Sequence, residues 1–246
     1  MTSMKYYFLL LIPMIFFGQN KAISVKINQI TSKEVNIQNT IYSIDYQIEN
    51  LTSDSISFFL IPNALIANTA SSMTLFPVYK MYQNGIFEDM DGPFFEYETE
   101  DELTFATIQD KTSAEFKILL EKIQNEKNTS ATEIHRDYQQ KGGTSKDFLW
   151  VYYNQKTLSN IVTLAPNQIK KFTIKTLWNK NRYVKNDHLE YYLDEKNKIE
   201  IELILDLKTN LFKDKLSEED LTKINADPNF IKGIFVSNKM EIKFKD

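Results

Sequence analysis

Between Glu88 and Glu102 the chain reads EDMDGPFFEYETEDE, eight acids in fifteen residues, and no Lys or Arg stands between Lys80 and Lys111. Carboxylates crowded in this way repel one another, and a cation or a basic surface relieves the repulsion. Asp89-Met90-Asp91-Gly92 sets two carboxylates beside a turn, an arrangement that hard Ca²⁺ could use. The EF-hand spacing is absent, however, and a solvated acidic loop accounts for the same residues. Aromatic side chains are interleaved here: Phe76, Tyr79, Tyr82, Phe87, Phe94, Phe95 and Tyr97. Rigid rings make good contact surfaces for proteins and stack on sugars, and they also anchor loops to a core. The candidate contact surface is therefore residues 76–102, with Phe87, Asp89, Asp91, Phe94, Phe95 and Tyr97 as its binding residues.

Elsewhere the chemistry is sparse. The two histidines are His135 and His188. Glu133, His135 and Asp137 are close in sequence, but residues two apart on a helix point to different sides, so no metal site is expected. There is no HExxH, no GxSxG elbow and no cysteine nucleophile. Six glycines make no dinucleotide fingerprint, and Gly142-Gly143-Thr144-Ser145-Lys146 has the wrong spacing for a phosphate loop. It reads as a helix stop. No catalytic residue and no cofactor is assigned. Asp and Glu are plentiful enough to pair in space, which keeps a periplasmic glycan hydrolase as the alternative to a non-enzymatic binder, with a calcium-stabilised structural module as a third reading.

These residues are carried by a chain with an address. Lys5 precedes an apolar run from Tyr6 to Phe17, and Gly18 and Ala22 follow it. A basic residue, a short apolar stretch and small residues make a secretory signal over residues 1–22; the run is too short to span a bilayer and contains Pro13. Without any cysteine the product carries neither a lipid anchor of the lipoprotein type nor disulfides. The expected location is the periplasm or the exterior of a Gram-negative bacterium, with a mature chain that does not span the membrane. A net charge of -4 gives no footprint for nucleic acid. The partners expected are another exported protein or a glycan.

The elements that must position the candidate surface are mostly strands. Ile23, Val25 and Ile27 alternate with polar residues, as do Tyr42, Ile44, Tyr46 and Ile48, the period of a half-buried strand. Asn50 to Ser55 supplies turn chemistry before Ile56, Phe58 and Leu60, which predicts a hairpin. Later, Phe148, Trp150 and Tyr152 predict a strand, Leu164-Ala165-Pro166-Asn167 a turn, and Ile169 to Leu177 another strand. Ile199 to Leu207 is the clearest alternation, and Met240, Ile242 and Phe244 close the series. Three capping boxes predict helices starting near Thr112, Ser130 and Ser217; the second ends at Gly142-Gly143 and the third before Asp227-Pro228.

Tyr42-x-Ile44-x-Tyr46-x-Ile48-x-Asn50-x-Thr52 with Ile56-x-Phe58 resembles the paired early strands of exported bacterial immunoglobulin-like domains. Leu164-x-Pro166-Asn167 followed by Phe172-x-Ile174 is similar to a later turn-and-strand segment of those domains. The resemblance implies a fold and no activity. About a hundred residues separate the two segments, more than a compact sandwich needs. The expected architecture is therefore mainly β, an immunoglobulin-like antiparallel β-sandwich over residues 23–246, with an acidic and helical insertion at about 83–146.

Overall fold

A computed structural model describes residues 22–37, 39–67, 75–88, 108, 110–144, 147–179, 197–209 and 213–244. The strands are β1 (Ile23–Glu34), β2 (Asn39–Asn50), β3 (Ile56–Phe59), β4 (Ile66–Ala67), β5 (Val78–Gln83), β6 (Ile86–Glu88), β7 (Ile161–Leu164), β8 (Ile169–Asn179), β9 (Ile199–Leu207), β10 (Gly233–Val236) and β11 (Met240–Glu241). The helices are α1 (Ala114–Gln140), α2 (Phe148–Ser159) and α3 (Glu218–Ala226). The protein is mainly β, and its strand pairs are antiparallel except for the short β4–β5 contact.

One sheet has the order β1-β2-β8. The second runs β10-β9-β5-β4, with β11 also on β9 and β6 also on β5. Alternation explains both. Tyr42, Ile44, Tyr46 and Ile48 of β2 are no more than 1 % exposed, and Ile199, Ile201, Leu203, Leu205 and Leu207 of β9 no more than 3 %. Both sets join one continuous core, an arrangement compatible with a β-sandwich. The two buried tyrosines find acceptors at the edge of that core: Tyr42 donates to Lys243 O at 2.9 Å and Tyr46 to Pro62 O at 2.8 Å. Burial pushes the Tyr46 phenol far above the ordinary tyrosine range.

The expected hairpin between β2 and β3 does not form. β2 pairs with β1 on one side and β8 on the other, whereas β3 pairs with β7. The true hairpin is β1–β2, and the residues after Asn50 turn the chain out of the three-stranded sheet. β7 makes the same departure in reverse at Leu164-Ala165-Pro166-Asn167, where Asn167 takes the left-handed φ of 57° and Gln168 N donates to Ala165 O. The two segments that carry the immunoglobulin-like resemblance are thus paired with each other, as β2 with β8 and β3 with β7.

Asn50 stands at this shared corner and is fully buried. Its Nδ2 donates to Asp54 O at 2.8 Å, to Ala165 O at 2.9 Å and to Leu164 O at 3.3 Å. Its Oδ1 accepts from the Thr52 N–H and hydroxyl at 2.9 and 2.8 Å. Both bends are held by one amide, because a buried carbonyl without a donor is costly.

Two helical expectations are corrected. Phe148, Trp150 and Tyr152 belong to α2 rather than to a strand: Asp147 Oδ1 accepts from the Leu149 and Trp150 N–H groups at 3.1 and 3.2 Å, a helix cap. Burial then falls on Val151, Asn154 and Thr157, at helical spacing. Nor does a helix begin at Ser130, since α1 runs unbroken from its cap at Ser113 for 27 residues, about 40 Å. Its end is as expected. Gly142 takes φ 89°, and the N–H groups of Gly142 and Gly143 return to Gln139 O and Tyr138 O. The C-terminal half of α1 meets α2 through His135 against Phe148 and Tyr138 against Trp150. α3 begins at Ser217 as expected and, with Leu158 of α2, covers Phe59 and Phe230 in a smaller core.

Candidate functional site

The described part of the candidate surface is built on β5 and β6. Asn84 and Gly85 both have positive φ, 51° and 81°, the two-residue turn that suits a tight hairpin, and they register Tyr82 opposite Phe87. Alternation along β5 sorts its aromatic residues. Tyr79 and Met81 point into the core, at 2 % and 1 % exposure, while Lys80 and Tyr82 point outward. The ring of Phe87 is 39 % exposed and lies 5.9 Å from that of Tyr82, tilted by 60°.

Charges frame this pair. Lys80 Nζ lies 5.3 Å from the centre of the Phe87 ring, and Lys239 Nζ lies 3.3 Å from that of Tyr82. The Tyr82 hydroxyl donates to Glu202 Oε2 at 2.6 Å. Burial first, then this hydrogen bond and the charge of Glu202, push the Tyr82 phenol up to about 12. On the same face Lys198 pairs with Glu200 at 2.7 Å. The result is an aromatic centre with a mixed rim of lysines and glutamates, the anatomy of a contact surface.

Of the six sequence-predicted binding residues, Phe87 lies on this face. Asp89, Asp91, Phe94, Phe95 and Tyr97 fall outside the described residues, as does His188. Phe76 is half-buried, and Tyr79 belongs to the core. His135 is half-buried beside Phe148, and among the described residues no group of three or more His, Asp or Glu could hold a metal ion. No described helix is long and apolar enough to cross a membrane.

The partners of the aromatic pair escaped sequence reasoning. Glu202 stands 120 positions from Tyr82, and nothing local to either residue predicts their bond. Lys80 was legible only as the last base before the acidic stretch. The Asn84-Gly85 dipeptide was the available signal for the hairpin that brings Tyr82 and Phe87 together. The chain matches no family model, no curated protein and no solved structure.

Proposed function

We propose that the chain is an exported, non-enzymatic binding protein on an immunoglobulin-like β-sandwich. It meets a partner protein through the outward face at Tyr82 and Phe87 and through the acidic, aromatic stretch that follows in the sequence. The observation that carries this reading is the half-exposed Phe87 ring, paired with Tyr82 and rimmed by Lys80, Lys239 and Glu202. An aromatic centre that excludes water inside a charged rim is where binding energy concentrates in protein contacts. The apolar leader supports export, and cell fractionation tests it: removal of residues 1–22 should retain the protein in the cytoplasm.

Replacing Phe87, Phe94, Phe95 and Tyr97 by Ala should abolish partner capture and leave the thermal transition in place. Undiminished capture by the folded variant would refute the reading. Turnover of a polysaccharide that disappears on a single Asp or Glu substitution would replace it by a glycan hydrolase. A higher melting temperature in calcium than in chelator would replace it by a calcium-stabilised module.

A further inference from the structure

The three-stranded sheet ends in two long edge strands that are treated differently. The outer edge of β1 is occupied at Ile27 by Asn238, whose Oδ1 accepts from Ile27 N at 2.8 Å and whose Nδ2 donates to Ile27 O at 3.3 Å. The outer edge of β8 pairs with no strand among the described residues. The register of β8 on β2 is unbroken from Glu49↔Ile169 to Asn39↔Asn179, and Asn50 N donates to Gln168 O across the end of the same ladder. Backbone groups alternate in direction along a strand. Residues 168, 170 and 172 therefore face β2, and Ile169, Lys171 and Thr173 present their N–H and C=O groups to the outer edge.

The side chains at this edge are of one sign. β8 reads IKKFTIKTLWN, three lysines and no acid. Lys170, Lys171 and Thr173 are exposed, and Thr173 donates its hydroxyl to Asp45 at 2.6 Å. Lysines on an edge discourage pairing with an identical edge, because like charges would meet across the new ladder. The same lysines favour an incoming strand of opposite charge.

We propose that the β8 edge at Ile169 to Thr173 accepts an extended segment of a partner protein that carries acidic residues at alternate positions. The incoming backbone completes the ladder, and its acidic side chains lie on the outer face beside Lys171, while the residues between them share the face of Lys170. This is strand addition, in which main-chain hydrogen bonds supply affinity and alternate side chains supply specificity. The surface is separate from the Tyr82–Phe87 face and does not depend on it.

The test titrates a fluorescent peptide of alternating Val and Glu against the purified protein and follows anisotropy. Saturable binding is expected, at least tenfold weaker for the Val-Lys peptide and for the K170E/K171E protein. It should also be at least tenfold weaker for a Val-Glu peptide N-methylated at alternate residues, which keeps its charge but cannot complete the ladder. Phe87→Ala should leave the affinity unchanged. No saturable binding, or equal binding of the N-methylated peptide, would overturn the proposal. A dimer in sedimentation that dissociates on Thr173→Pro would overturn it in favour of a second copy. A protein with Glu96, Glu98 and Glu100 replaced by Gln that binds where the parent does not would overturn it in favour of the chain's own acidic stretch.

Discussion

At the scale of single residues, two side chains decide more than their size suggests. Asn50 satisfies three carbonyls with one amide at the place where two strands leave their sheet together. Replacing it with Ala strips a donor from the buried Leu164 carbonyl and from two part-buried ones, and urea unfolding should show a loss of about 1–3 kcal/mol. Tyr82 makes a prediction for alkaline solution. Its phenol is raised from 10.0 to about 12, so the folded protein holds a proton that the unfolded chain has already released. That contribution is complete below pH 10 and is lost as the pH rises through about 12. Tyr82→Phe should accordingly flatten the decline in stability over that interval, and absorbance titration of the parent should show a late tyrosine that the variant lacks.

At the scale of elements, what could be read in advance followed local physics. Period-two burial is imposed by the pleat itself, so β1, β2, β8 and β9 were visible from Ile23, Tyr42, Ile174 and Ile201 and their neighbours. The helix start expected near Thr112, which the structure caps one residue later at Ser113, and that at Ser217 were visible because a cap is a contact between residues three apart. The failures have equally physical causes. Phe148, Trp150 and Tyr152 alternate, yet the Asp147 cap and the burial of Val151, Asn154 and Thr157 make that stretch helical. The corner after Asn50 looked like a hairpin turn because the carbonyls that define it belong to Leu164 and Ala165, 114 and 115 positions away. The end of α1 can be tested alone. Gly142 holds φ 89°, and Gly142→Ala should cost about 1 kcal/mol in thermal or chemical unfolding.

At the scale of the whole molecule, the pairing of two segments a hundred residues apart is what joins the early and late strands into shared sheets. Gln47 and Lys171 face each other in the non-hydrogen-bonded positions of the β2–β8 ladder, where Cα atoms approach most closely. Because the chain has no cysteine of its own, Gln47→Cys with Lys171→Cys should form a single clean disulfide. It should raise stability by about 2–4 kcal/mol, and failure to oxidise would contradict the register. The architecture leaves two outward features on separate surfaces, the aromatic pair on the larger sheet and the basic edge of the smaller one. The first is the centre of the functional account. A photo-crosslinking amino acid placed at position 87 in cells that make the protein should yield a discrete adduct with a partner protein, and the same probe at Gln140, exposed at the end of α1, should yield none. Adducts at position 140 with none at position 87 would contradict the account.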